Sequence, residues 1–175
     1  MTKDLTQGKI TPLLVKFTIP LLFGNIFQLM YNSVDSIIVG QLVGKEALAA
    51  VGTSNPLMTL AILFVNGMCI GASILMGTQY GAKKMDVLKR QISTTMIAGI
   101  VFSIAVTSFC ILFARRLLLL IRVQEEVLPL AVSYLRIVFL GFIFTFIYNF
   151  FACTLRALGD STTPLSFLVA SSVLN

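Results

Sequence analysis

Asp35 is the single charged residue in the stretch Ile19–Val43, which reads IPLLFGNIFQLMYNSVDSIIVGQLV. A carboxylate in an apolar run of membrane-spanning length costs about 2.5–3.5 kcal/mol on insertion scales. Three polar residues precede it, Asn25, Gln28 and Asn32, and the four recur at steps of three, four and three. That spacing places them on one stripe of a helix. Lipid cannot satisfy such a stripe, so it is expected to face a protein interior or a watery cavity. A carboxylate in such a run is rarely tolerated without a functional reason. Burial favours the neutral acid, whereas nearby amides or a bound cation favour the anion. The competing reading is a structural seam between two helices. A seam needs amides and hydroxyls, but not an ionisable group.

Other chemistry finds little support in the residues. The chain contains no histidine, and Cys69, Cys110 and Cys153 belong to no CxxC pair. Each cysteine is expected to be a small buried apolar residue rather than a metal or redox group. No Gly-rich phosphate loop follows a strand, and no nucleophile has an evident base partner, so no enzyme and no cofactor is expected. Glu125 and Glu126 read as a solvated helix start ahead of Pro129 rather than as an acid pair.

The elements that must position the stripe are membrane spans. The chain is 57% hydrophobic and 11% charged, with a mean hydropathy of +0.96, outside the range of soluble domains. Uncharged runs near the length of about 20 residues that a bilayer requires recur at Phe17–Val34, Ala47–Ala82, Gln91–Ala114 and Ile137–Leu155, with another at Ser161–Asn175. The expected fold class is all-α: a polytopic bundle with helices at about 13–42, 55–80, 92–113, 131–155 and 164–175. The first run is too long for a cleaved signal peptide and is followed by further spans. Pro20 is expected to kink helix 1. Gly67 and Gly71 form a G-x-x-x-G pair suited to close packing. Helix 3, with only Ser and Thr as polar groups, is expected to be the most lipid-exposed span. Residues 114–130 are expected to lie along the outer interface, where Arg115, Arg116 and Arg122 could meet lipid headgroups. Asp160 or Ser161 is suited to capping the last helix.

The net charge of +6 does not point to nucleic acid, because the basic residues alternate with the spans instead of forming one patch. Lys3, Lys9, Lys16, Lys83, Lys84, Lys89, Arg90 and Arg156 fall on one side. Lys45, Arg115, Arg116, Arg122 and Arg136 fall on the other. Eight against five puts the N-terminus and the 81–91 loop in the cytoplasm. A short internal echo, IFQLMYN at 26–32 and IFTFIYN at 143–149 with Gly24 and Gly141 in register, pairs Asn32 with Asn149. Helices 1 and 4 would run in opposite senses, as in an inverted repeat.

Four segments carry a resemblance to a known family. They are Pro20, Gln28, Asn32, Asp35 and Gly40 in helix 1; Ala-Leu-Ala-Ala-Val-Gly at 47–52; Gln79-Tyr80-Gly81-Ala82; and LRALGDSTTP at 155–164. The last is the most specific and resembles the turn Arg-(Gly/Ala)-x-Gly-Asp-x-x-x-Pro. Together they resemble the N-terminal part of MATE (multidrug and toxic compound extrusion) transporters, which have two six-helix lobes. The resemblance implies a plasma (inner) membrane antiporter that exports small organic cations in exchange for H+ or Na+. It also implies cation coupling at Asp35, completed by Asn175, where a sodium ion could sit. Gln28, Asn32 and Asn149 would line the cavity, and the family's proline-dependent bending of helix 1 would map onto Pro20. On this reading the chain holds about five helices of one lobe. Its partners are the lipid bilayer, the cationic substrate and a C-terminal lobe that these residues do not include, so alone it is expected not to transport. Two alternatives stay open: a lipid-linked saccharide flippase of the same superfamily, or a non-transporting membrane fragment. Flippases usually use arginine or lysine to hold a phosphate, and only Arg136 approaches such a position here.

The topology is testable at residue 85. A cysteine placed there by Met85→Cys should react with a membrane-impermeant maleimide only after the cells are opened. Labelling in intact cells from outside would reverse the orientation.

Overall fold

The computed structural model describes residues 10–174, except for the side chains of residues 10, 16, 35, 43 and 172–174. Every regular element among them is helical: α1 Ile10–Ile38, a π-helical turn Val39–Val43, α2 Lys45–Gly81, α3 Met85–Leu120, α4 Leu128–Leu140, α5 Phe142–Ala157 and α6 Thr162–Leu174. Three of these helices are long and apolar enough to cross a membrane, and the bent pair α4–α5 would make a fourth span. Their apolar surfaces therefore face outward. Leu60, Leu63, Ile74, Ile97, Leu112 and Phe144, for example, are all exposed.

The spans are longer, and their connections shorter, than hydropathy suggests. Residues 45–54, which fall between the helices expected at 13–42 and 55–80, are the start of α2, with Glu46 in its first turn where the helix dipole favours an anion. The crossing contracts to the π turn and Gly44. The Gly44 N–H donates to the Val39 carbonyl at 3.3 Å, and φ is +111°, a conformation in which glycine has no Cβ to strain. Gly40 allows this tight crossing, since a Cβ there would lie 3.2 Å from Leu48 Cδ2. Likewise α3 begins at Met85, which puts Lys89 and Arg90 on its first turns rather than in a loop. At its other end α3 continues through Arg115 and Arg116 to Leu120. Pro129 falls in the first turn of α4, where its missing N–H costs nothing, so that helix starts three residues earlier than expected.

The described residues divide into two compact units. One draws on the described parts of Met1–Ser33, Met68–Met96 and Tyr148–Asn175. In it Cys69, Met76, Leu88, Phe150 and Cys153 are buried. Thr154 Oγ1 donates to the Phe150 carbonyl at 2.8 Å and meets Met76 Sδ at 3.7 Å. A Cβ on Gly77 would stand 3.5 Å from the Ala157 carbonyl oxygen, so the ends of α2 and α5 pack closely there. Gly24 packs α1 on α6, with Leu165 and Leu168 of α6 within 4 Å of where its Cβ would be. The expected close approach at Gly67 and Gly71 is absent among the described residues, because nothing lies within 4 Å of a Cβ built at either. The third cysteine, Cys110, is only partly buried.

The other unit comprises Val34–Gly67 and Ile97–Ile147, and its core forms around a helix break. Buried positions Leu128, Ala131, Leu135, Phe139, Phe142 and Phe146 follow steps of three and four, an unbroken helical stripe in sequence. Yet α4 and α5 are bent by 45° at Gly141. The Gly141 N–H is shared between the Val138 carbonyl at 3.0 Å and the Ile137 carbonyl at 3.4 Å, so the local turn tightens. Thr107 Oγ1 on α3 donates to the Phe139 carbonyl beside the break at 3.1 Å. One turn back along α3 lies Ser103 and, a turn beyond it, Gly99, whose missing side chain leaves room for the Phe146 ring. The Ser103 hydroxyl is buried with no hydrogen-bond partner among the described residues, a cost of about 1–3 kcal/mol.

This face of α3 is covered by protein, with Ser103, Ala114 and Leu118 buried, so the helix is not open on all sides. None of the span of α1 is buried, against 22% for α2 and 11% for α3. The serines and threonines of α3 are there partly to receive the bend of α4 and α5.

Gly99→Ala should destabilise the fold by about 1–3 kcal/mol, because the new methyl group and the Phe146 ring cannot share the space. Phe146→Leu in the Gly99→Ala background should recover part of that loss. Strictly additive costs in a double-mutant cycle, read from denaturation in mixed micelles, would show that the two residues do not touch.

Candidate functional site

Helix α1 carries most of the predicted site. Pro20 lies inside it, and the helix is continuous through that position even though proline offers no N–H to the Lys16 carbonyl. Asn25, Gln28 and Asn32 are all exposed on α1. Asp35 is helical and lies three residues beyond Asn32, so the backbone keeps it in register with the stripe. Its side chain is outside the described residues, as is Asn175 altogether. Asn149 is half-buried on α5, within the same compact unit as Asn32. Neither asparagine is an unpartnered polar group. The echo between the two helices does not extend to their backbone, since Gly141 sits at a break while Gly24 lies within unbroken helix.

The segment LRALGDSTTP folds as a double cap. Gly159, with φ +87°, ends α5, and the Asp160 N–H donates to the Leu155 carbonyl at 2.9 Å, a Schellman closure. Asp160 then starts α6. Its Oδ1 accepts from the Thr162 N–H at 3.1 Å, the Thr162 hydroxyl at 3.0 Å and the Thr163 N–H at 3.0 Å. Its Oδ2 accepts from the Thr163 hydroxyl at 2.7 Å. Burial alone would push this carboxyl up, but the donors of Thr163 and Thr162 outweigh it and hold the group at about 2. Between the two capping residues the sequence allowed, the structure selects Asp160. Its role is architectural. It joins α5 to α6 in a fixed turn and so sets where α6 meets α1 at Gly24.

A profile of the MatE family matches residues 20–175. The chain belongs to the MatE family. It is similar to the probable multidrug resistance protein YpnP of Bacillus subtilis (strain 168), with 34% identity over 172 residues that cover 98% of this chain and 39% of that protein. It is also similar to the crystal structure of MATE in the bent conformation, with a TM-score of 0.87, 25% identity and coverage of 95% of this chain and 37% of that one. For MATE in the straight conformation the TM-score is 0.89 at 25% identity, covering 99% and 39%. The chain thus spans less than half the length of the relatives it matches. MatE proteins are multi-pass membrane transporters, not enzymes, and the apolar helices described above accord with that.

Two features of this MatE chain escaped sequence reading. Thr107 acts as hydrogen-bond donor to a helix interrupted at Gly141, and Gly99 makes room for an aromatic ring. Their signal was present as Gly99, Ser103 and Thr107 at steps of four, but small polar residues on an apolar helix look the same whether they meet lipid or another helix.

Asp160→Ala should cost about 0.5–2 kcal/mol, the usual range for a lost N-cap. The sign with pH follows from the depressed value. The stabilisation is complete above the ordinary carboxylate range and is lost as pH falls from about 4 towards about 2. Thermal unfolding of parent and variant in detergent between pH 7 and pH 2 should therefore show their difference narrowing on acidification. A constant gap would remove the charge from the explanation.

Proposed function

We propose that this chain is the first part of the N-terminal lobe of a secondary antiporter that exports organic cations in exchange for H+ or Na+. The N-terminus is cytoplasmic in this reading, as the distribution of lysines and arginines favours. The observation that carries the proposal is helix α1 itself. It holds an exposed polar stripe, Asn25, Gln28 and Asn32, in register with the one carboxylate of the span, and the described residues bury none of it. Such a helix needs a facing surface or a watery cavity, and the carboxylate supplies what a structural seam would not need.

Asp35 is the coupling group, with Asn175 as its companion and as a second ligand for a sodium ion, the pairing that the family resemblance implies. Gln28, Asn32 and Asn149 supply amides to the cavity, where neutral donors and acceptors can hold a cationic guest without competing for its charge. One carboxylate serves both cargoes in turn. Protonation or sodium binding neutralises it and releases the organic cation; loss of the small ion restores the anion that attracts the next. Pro20, lacking a backbone donor, is the point about which α1 bends. Structures in this family have been solved both bent and straight, and each resembles this chain. An acid within the span also argues for cationic cargo over the phosphate-bearing cargo of a flippase.

Asp35→Asn in the complete transporter should insert and fold at least as well as the parent, since it removes a costly ionisable group. Export of a fluorescent organic cation from proteoliposomes under an imposed proton or sodium gradient should fall to background. Parental efflux by the Asn variant would leave the stripe as a structural seam and end the coupling reading.

A further inference from the structure

Beside the junction of α3 and α4 lies a groove of about 590 Å³ lined by Arg115, Leu119, Glu125, Leu128, Pro129 and Val132. All six belong to one compact unit. Arg115 and Leu119 stand one turn apart near the end of α3; Leu128, Pro129 and Val132 form the first turns of α4; Glu125 is in the connection between them. Arg115 and Glu125 are both exposed, and among the described residues neither makes an ion pair. The groove therefore offers a cation and an anion that do not neutralise each other, on otherwise apolar walls.

Its position says what kind of molecule is at hand. The uncharged part of α3 ends at Ala114, just before Arg115, and Leu112 beneath it is 76% exposed, which puts the groove at the level where hydrocarbon gives way to headgroups. Neighbouring Arg116 is placed over the Phe113 ring, 5.7 Å from its centroid, which leaves Arg115 as the arginine that faces the groove. A guanidinium matches phosphate oxygens through paired N–H donors. A carboxylate nearby favours a ligand that also carries a cation able to donate hydrogen bonds. A glycerol headgroup brings the phosphate without that cation, and a choline headgroup brings a cation without an N–H.

We propose that this groove seats a phospholipid with an ethanolamine headgroup, its phosphate on Arg115, its primary ammonium on Glu125, and its glycerol and upper acyl chain against Leu119, Leu128, Pro129 and Val132. The site shares no residue with the α1 stripe and does not depend on the transport reading.

The test is native mass spectrometry of the purified chain released from nanodiscs holding equal mole fractions of phosphatidylethanolamine, phosphatidylglycerol and phosphatidylcholine. Phosphatidylethanolamine should be retained about tenfold over phosphatidylglycerol, equivalent to one decade in Kd. Arg115→Ala should abolish retention of all three. Glu125→Gln, a change at an exposed connection residue that leaves the helices intact, should keep phosphatidylglycerol binding and erase the preference for the amine. Equal retention of the lipids by the parent chain would overturn the proposal, as would a preference unchanged in both variants. Displacement by free phosphoethanolamine at the same concentration would make this a soluble-ligand site and overturn the lipid assignment.

Discussion

Hydrocarbon offers no hydrogen bonds, so each backbone N–H and C=O within a span must find its partner inside the protein. Most do so by continuing the helix, which is why hydropathy alone underestimates how far α2 and α3 run. The departures are each met by a specific group. At Gly141 the bend of α4 against α5 brings in the Thr107 hydroxyl at the Phe139 carbonyl. At the end of α5, Gly159 adopts a positive φ so that Asp160 can close the helix behind it and open the next. At Gly44 the chain reverses through a single residue after a π turn. Elsewhere a close approach of side chain to backbone also depends on glycine, as at Gly99 against the Phe146 ring.

The same constraint gives α1 its significance. Its amides and its carboxylate would be costly facing lipid, yet among the described residues Asn25, Gln28 and Asn32 stay exposed even though Gly24 packs on α6. Covering it would require either water or more protein than this chain contributes, and the relatives are more than twice as long as the segment matched here. In the proposed mechanism, an ionisable group held between two such surfaces can alternate between neutral and charged states as access changes. Sign matters as well. An acid attracts cations, and apart from Arg136 within α4 the basic residues of this chain lie towards the ends of its helices or between them.

The connection between α3 and α4 shows a different use of charge. Arg115, Arg116 and Arg122 looked like topology determinants spread along an interfacial helix. Instead, two of them end the α3 span and the third lies in a short connection with φ +59°. One is held over an aromatic ring, and one faces a groove with a carboxylate in its wall. Residues at the same depth thus acquire different surroundings from the path of the chain.

Long apolar runs, the absence of histidine, the lone Asp35 with its amide stripe and the LRALGDSTTP turn were readable directly, because each depends on composition or on contacts within a few residues. Membrane class, helical fold and family follow from them. Helix limits were read less well: glycine, alanine and single charges suggest loops in sequence but are compatible with helix once both ends are anchored, as at Lys45 and Met85. Which face of α3 is buried, which glycines permit close packing, and where the α4–α5 stripe bends depended on neighbours far away in sequence. Gly67 and Gly71 met nothing, while Gly99 met Phe146. A periodic pattern specifies that a face is apolar or small, but not what lies against it; in a membrane, where lipid and protein are equally apolar, only tertiary packing decides that.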